Sequence, residues 1–315
     1  MHSPIKLLLS KPRGFCAGVE RAIKTVEEAL KCWGAPIYVR HEIVHNRHVV
    51  ERLKKMGAIF IEEINEVPCG ARLIYSAHGV SPAVREEARA RALIEIDATC
   101  GLVTRVHSAV KRFAGLGYQI VLIGHKNHVE VIGTVGEAPE VTSVVECVED
   151  VKQLEYAPHT KLFYITQTTL SLDDVKEITE ALILKYPHIE TLPSSSICYA
   201  TTNRQMALRE ITDLTDLVLV VGDPQSSNSN RLREVASTRG VDSYLINDER
   251  EINPSWLIGK KTIGLTAGAS TPEEIVQKCI ERLVQLGVSE VEDVLYTHED
   301  VVFQLPKSIV LAQGF

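Results

Sequence analysis

Short apolar runs recur along this chain, and each gives way to a polar loop and then to residues with helical periodicity. RLIYSAHGVSPAV, KLFYITQTTLSLDD and KTIGLTAGASTPEE follow one plan: a basic residue, an apolar strand, a small-polar loop and a helix start. Ser81, Ser171 and Thr271 occupy matching positions and are expected to cap the three helices. Pro82 and Pro272 then take the first helical position, and Glu274 completes a capping box with Thr271. APIYVRHEIVHN, YQIVLIGHKNHVE and DLVLVVGDPQSSNSN form a second set, in which a strand ends at Arg40, Gly124 or Gly222 and a polar loop begins.

LLLSKPRGFCAGVERAI, LIEIDATCGLVTRVHSAV and ETLPSSSICYATTNRQMAL form a third set, each with a cysteine between a strand-like run and a helix. These are Cys16, Cys100 and Cys198. Each unit therefore reads cysteine, helix, strand, polar loop, helix, strand, polar loop, helix, strand. That alternation predicts an α/β fold of three pseudo-symmetric lobes with small, mostly parallel sheets. The expected lobes are 1–100, 101–195 (with Cys100 at its start) and 196–290, followed by a tail of short strands over 291–315. In open parallel sheets ligands gather at the carboxyl ends of the strands, where these polar loops and cysteines fall. Three such lobes around a pseudo-threefold axis, with those ends inward, would bring the cysteines together.

The 315 residues are 45% hydrophobic and 24% charged, the balance of a globular protein. No run of about 18 apolar residues is present, so no membrane span is expected. The N-terminal apolar stretch is too short for a signal peptide and lacks a small-residue cleavage site. A formal charge of -7 without a basic cluster argues against nucleic acid as a partner. Seven cysteines without a CxxC pair fit reduced thiols, and hence the cytoplasm, better than disulfides. Of the other four, Cys32 and Cys279 read as apolar helix positions, Cys69 as a turn and Cys147 as a strand or its end.

Taken singly, Cys16, Cys100 or Cys198 would be a small core residue. Repeated at one point of three units, each at a helix N-terminus that stabilises a thiolate, they suit metal binding. Three thiolates fit an iron–sulfur cluster, which normally takes four, and leave one iron open for chemistry. HEIVH, from His41 to His45, has the spacing of a zinc-protease helix, but it follows the strand PIYVR and precedes Asn46, the expected cap of the next helix. The match is therefore read as accidental.

His45, His78 and His128 occupy the polar loops of the first two units, and Ser226, Ser227, Asn228 and Ser270 those of the third. Each alone is an ordinary cap or turn residue. Together they are donors suited to a phosphate or diphosphate, with no glycine-rich phosphate loop in the chain. Glu130, in the loop NHVEVIG, is the one carboxylate beside these groups and is either a proton donor or a surface charge. Thr168, in TQTTLS, places a hydroxyl in the equivalent loop of the second unit.

KPRGFCAGV, APIYVRHEIVHN, SAHGVS, DATC, TQTTLS, ICYATTNRQ, SSNSNRL, TAGAS and VVFQLPK occur in this order over nearly the whole chain. In these motifs it resembles the LytB-type family of 4-hydroxy-3-methylbut-2-enyl diphosphate reductases, the last enzymes of the non-mevalonate isoprenoid pathway. The resemblance implies three α/β lobes around one [4Fe–4S] cluster held by Cys16, Cys100 and Cys198, with one open iron. It implies that His45, His78, His128, Ser226, Ser227, Asn228 and Ser270 hold the diphosphate, that Glu130 donates a proton, and that Thr168 lies beside the substrate hydroxyl. The family removes that hydroxyl with two electrons and two protons, giving isopentenyl and dimethylallyl diphosphates and water. Two positions depart from its pattern: Gly101 where proline commonly follows DATC, and Val129 where HPE is usual.

An iron–sulfur dehydratase and a non-catalytic cluster-based sensor are the competing readings. The first is separated by its lack of a redox requirement, the second by indifference to Glu130. No GxGxxG fingerprint or evident flavin site is present, so an external electron donor such as ferredoxin or flavodoxin is expected.

Overall fold

The computed structural model describes residues 4–313. The chain opens with β1 (Ile5–Lys11) and then repeats one succession of elements three times. The first pass is α1 (Ala17–Trp33), β2 (Ile37–Arg40), α2 (Arg47–Met56), β3 (Ala58–Ile61), β4 (Arg72–Tyr75), α3 (Pro82–Ala90) and β5 (Ile94–Asp97). The second is α4 (Gly101–Gly115), β6 (Gln119–Ile123), α5 (Val129–Val135), β7 (Thr142–Val145), α6 (Val148–Gln153), β8 (Leu162–Thr166) and α7 (Leu172–Lys185). The third is α8 (Tyr199–Thr212), β9 (Leu217–Val221), α9 (Ser227–Ser237), β10 (Asp242–Ile246), β11 (Thr262–Ala267), α10 (Glu273–Gln285) and β12 (Val288–Leu295). The short α11 (Lys307–Ala312) follows.

Among the described residues the strands form three sheets, ordered β3-β2-β4-β5, β7-β6-β8 and β10-β9-β11-β1-β12, and the named strands pair in parallel throughout. A single parallel bridge between Phe163 and Glu190 gives the second sheet the stub of a fourth strand. All three sheets thus begin with one order, β3-β2-β4, β7-β6-β8 and β10-β9-β11, and each pass contains an edge strand, β3, β7 or β10, beyond the strands expected from the repeat.

By compactness the described residues divide into two units. One comprises 4–17, 45–47 and 199–302; the other comprises 18–44, 48–198 and 303–313. The first unit is built on the five-stranded sheet. Its central strand β9, LVLVV, is buried at every residue, as expected for a parallel strand covered on both faces. One face packs Leu7, Leu9, Leu219 and Leu265 against Val276, Cys279 and Leu283 of α10. The other packs Leu8, Val218 and Val220 against Leu208 and Ile211 of α8 and Leu232 and Ala236 of α9. The second unit holds the other two sheets, each with its own core, such as Val80, Ala88, Leu73 and Tyr75 in one and Val106, Val110, Ile120 and Phe163 in the other.

Three local expectations change. β1 is expected with the strands of residues 1–100, yet it lies between β11 and β12, with Lys6 beside Thr262 and Glu290. The segment from about residue 290 is not a run of short strands: β12 is one edge strand on β1, and α11 closes the described chain. The capping box of Thr271 and Glu274 does not form. The α10 cap is Pro272, because the Thr271 hydroxyl instead donates to the Val221 carbonyl at 2.9 Å. Ser171 does cap α7, accepting from the Asp173 and Asp174 amides.

Candidate active site

Each of Cys16, Cys100 and Cys198 immediately precedes the first residue of a long helix, α1, α4 or α8, and each is half-buried and outside any disulfide. The positive end of the helix dipole favours the thiolate at such a point. The other cysteines differ. Cys69 and Cys147 are exposed, and Cys32 lies within α1. Cys279 is buried in an apolar core that pushes its thiol up to about 12, which makes it inert as a ligand.

In the second unit, β8 ends where Thr168 begins to organise its surroundings. The Thr168 amide donates to Glu130 Oε1 at 2.7 Å, its hydroxyl donates to Glu130 Oε2 at 2.9 Å, and its carbonyl accepts the Cys198 N–H at 3.0 Å. Glu130 is not in a loop, as expected from NHVEVIG, but in the first turn of α5, and it is only 2% exposed. Burial raises its pKa above the ordinary carboxylate value, against the two Thr168 bonds and the nearby His107, which favour the ionised form. Glu130 is therefore not a surface charge.

His128 caps α5: its Nδ1 accepts from the Glu130 N–H at 3.1 Å, which leaves the proton of the neutral ring on Nε2. Its ring meets that of His78 edge-on with centroids 5.8 Å apart. His78 Nδ1 lies 3.3 Å from the Ser76 hydroxyl, and the Cys100 N–H donates to the Ala77 carbonyl at 3.0 Å. The next residue, Gly79, has φ +78, and a Cβ there would stand 3.1 Å from His107 Cε1, so only glycine fits the turn. This unit therefore gathers Cys100, Cys198, His78, His128, Glu130 and Thr168.

The first unit gathers the rest. Helix α9 reaches the sheet because Gly222 and Gly268, at the ends of β9 and β11, leave room for Ser229; any side chain at either glycine would collide with it. Ser226 caps this helix, accepting from the Ser229 amide at 3.3 Å, and Ser227 is its first residue. Asn228 Oδ1 accepts from the Ala269 N–H at 2.9 Å, while its buried Nδ2 has no acceptor within the protein. Ser270 donates to the His45 carbonyl at 2.8 Å, and the Cys16 N–H donates to the Ala269 carbonyl at 3.2 Å. His41 to His45 form no helix and His41 has φ 56, so the zinc-protease geometry is absent; Asn46 directly precedes α2.

Four further residues escape the sequence patterns. His107 is buried on α4 with Nδ1 at 2.9 Å from Glu137. Gln167 is 1% exposed and accepts from the His125 amide at 3.1 Å. Arg204 and Glu299 are paired in the first unit at 3.0 Å. None carries a local signal beyond its polarity, although Gln167 stands in TQTTLS, Arg204 in ICYATTNRQ and His107 in LIEIDATCGLVTRVHSAV.

Parallel sheets covered by helices, with three cysteines at helix starts and a buried glutamate, are the features of an α/β enzyme. The chain belongs to the LytB protein family, whose pattern it matches over residues 7–284, and that family is one of iron–sulfur enzymes. It is 81% identical over 309 residues to a 4-hydroxy-3-methylbut-2-enyl diphosphate reductase of Protochlamydia amoebophila (strain UWE25), covering 98% of this chain and 99% of that one. It is 61% identical to the enzyme of the same name from Chlamydia abortus (strain DSM 27085 / S26/3), covering 96% and 99%. The solved structure of the E-1-hydroxy-2-methyl-but-2-enyl-4-diphosphate reductase from Plasmodium falciparum superposes with a TM-score of 0.97 at 49% identity, covering 99% of each chain. A solved (E)-4-hydroxy-3-methyl-but-2-enyl diphosphate reductase, described as the terminal enzyme of the non-mevalonate pathway, matches with a TM-score of 0.64 at 34% identity. It covers 89% of this chain and 99% of that one.

Proposed function

We propose that this chain reduces 4-hydroxy-3-methylbut-2-enyl diphosphate to isopentenyl and dimethylallyl diphosphates and water. The observation that carries it furthest is the Glu130–Thr168 pair: a buried acid whose holder is bonded through its own backbone to the N–H of Cys198. Beside it stand relatives of the same family at 81% and 61% identity that bear this reductase name.

The three helix-start cysteines fit an iron–sulfur cluster: half-buried, outside any disulfide, and set where a thiolate is stabilised. Cys16, Cys100 and Cys198 would hold a [4Fe–4S] cluster, one per chain, with one iron lacking a protein thiolate. When bound, the cluster would relay electrons one at a time from the donor and supply a Lewis-acidic iron. The diphosphate is held by His45, His78, His128, Ser226, Ser227, Asn228 and Ser270. The unpartnered Nδ2 of Asn228 and the Nε2 proton of His128 are donors of the kind an anion requires.

Glu130, whose pKa is raised by burial, gives its proton to the departing hydroxyl, and Thr168 aligns that hydroxyl with the acid. The allylic C–O bond breaks, water leaves, and a second proton reaches carbon at either end of the allyl unit as two electrons are taken up. The electrons come from an external donor, for which ferredoxin or flavodoxin is the expected partner. None of the seven cysteines is in a disulfide, which suits a reducing compartment such as the cytoplasm.

The test is anaerobic purification, confirmation of the cluster, and addition of substrate with reduced methyl viologen. Substrate-dependent oxidation of the dye, lost in Glu130→Gln, supports both reaction and acid. Oxidation that survives the substitution keeps the reaction and removes Glu130 from its role. An intact cluster without oxidation overturns the proposal.

A further inference from the structure

Arg204, on α8, is the largest side chain that is wholly buried, at 0% exposure. Burying a guanidinium costs several kcal/mol unless its donors are satisfied, and an apolar side chain of similar volume fills such a space at less cost. Here the donors are all satisfied. Nε and Nη2 donate to the Gly14 carbonyl at 3.0 and 2.8 Å, and Nη2 also donates to the Phe15 carbonyl at 3.1 Å. Nη1 donates to the Ala200 carbonyl at 3.0 Å and to Glu299 Oε1 and Oε2 at 3.0 and 3.2 Å. Glu299 is itself held by Asn203 Nδ2 at 3.0 Å.

Two of the three carbonyls that Arg204 grips, those of Gly14 and Phe15, belong to the residues directly before Cys16. On its other edge the same segment is bonded to the end of β11, through Gly14 N–H to the Ala267 carbonyl and Cys16 N–H to the Ala269 carbonyl, each at 3.2 Å. Gly14 has φ +68, so this turn has no regular strand or helix to fix it. We infer that Arg204, oriented by Glu299, is a positioning residue for Cys16: it fixes the backbone from which the thiolate meets iron. Lysine cannot replace it, because a single ammonium cannot span two carbonyls and a carboxylate as the planar fork does.

The inference rests on Cys16 being a cluster ligand. Four variants are reconstituted with iron and sulfide: Arg204→Met with Glu299→Gln, Glu299→Gln alone, Arg204→Lys, and Cys16→Ser as control. Iron content, iron release to a chelator and urea unfolding of the apoprotein are measured. The neutral double variant removes both charges, so its apoprotein is expected to unfold at or above the wild-type urea midpoint. Its iron release should be roughly ten- to a hundredfold faster, the range for groups that orient metal ligands. Arg204→Lys and Glu299→Gln should release iron faster to a smaller degree. Wild-type release rates in the double variant overturn the inference. If the double variant does not fold, wild-type release in both single variants overturns it equally. Full iron content and normal release in Cys16→Ser would instead strike at the ligand assignment itself.

Discussion

Thr168→Val tests how the acid is tuned. The substitution keeps the side-chain shape and removes one hydroxyl, whose bond to Glu130 Oε2 is 2.9 Å long; the 2.7 Å bond from the Thr168 amide remains. A hydrogen bond to a charged group is worth about 1.5–3 kcal/mol, and it favours the ionised carboxylate over the acid. Its loss therefore strengthens proton binding by Glu130 roughly ten- to a hundredfold. If Glu130 is the proton donor, activity falls as pH rises through its ionisation, and in the valine variant that alkaline limb moves to higher pH. The assay is viologen oxidation against pH under anaerobic conditions. The infrared band of the protonated carboxyl, assigned by its absence in Glu130→Gln, is followed over the same range. Lower activity alone decides nothing, since Thr168 is also placed beside the substrate. A limb and an infrared transition that both stay where they are in wild type would refute the reasoning.

Glu130→Gln should lower turnover about a hundred- to ten-thousandfold, the usual contribution of a general acid. It should also change stability with a definite sign. Burial raises the folded pKa of Glu130, so wild-type stability falls as pH climbs from the ordinary carboxylate range through the raised value. The glutamine variant lacks this decline, and its stability relative to wild type grows with pH; urea unfolding at pH values on both sides of that window measures it, and a constant difference contradicts it. Asn228→Ala removes a buried donor and should weaken substrate binding about ten- to a hundredfold, read as Kd by calorimetry; it also deprives the Ala269 N–H of its acceptor, so unfolding stability should fall by about 1–3 kcal/mol. Gly101→Pro places proline at the first position of α4, where it is favoured, and its Cβ meets Phe303 Cε1 at 3.3 Å. A slight shift of the ring accommodates it, so turnover is expected within about threefold of wild type and stability slightly raised; a large rate change in the viologen assay would contradict this.

The three joints between strand-like run, cysteine and helix were legible because each is a local event, written in adjacent residues. The place of β1 was not. Its apolar run IKLLLS suits any buried strand, and its partners lie more than 250 residues away, so no nearby pattern records the choice. The edge strands β3 and β7 are four residues long and were lost among turns for the same lack of contrast. Glu130 looked like a loop charge because α5 is only seven residues long and its burial depends on Thr168, in another strand's loop. Arg204 carried a charge on a helix and so resembled a solvated position; only the acceptors supplied by Gly14, Phe15 and Glu299 explain its place in the interior.

The position of β1 between β11 and β12 also bears on how the protein is made. At about 5–20 residues per second, a ribosome needs roughly 15–60 s after residue 11 to deliver the strands that flank it. For most of that interval IKLLLS has neither neighbour of its sheet, and Cys16, the earliest cysteine to emerge, lacks Arg204 until about two-thirds of the chain is made and Ala269 and Glu299 until near its end. Chaperones therefore have their strongest reason to hold the nascent chain at its beginning rather than its middle. If Cys16, Cys100 and Cys198 hold the cluster as proposed, iron delivered before the last strands are released would find Cys100 and Cys198 with their local supports in place, but not Cys16. Assembly would then wait on completion of synthesis, and an interrupted chain is left without the surroundings of its first thiol.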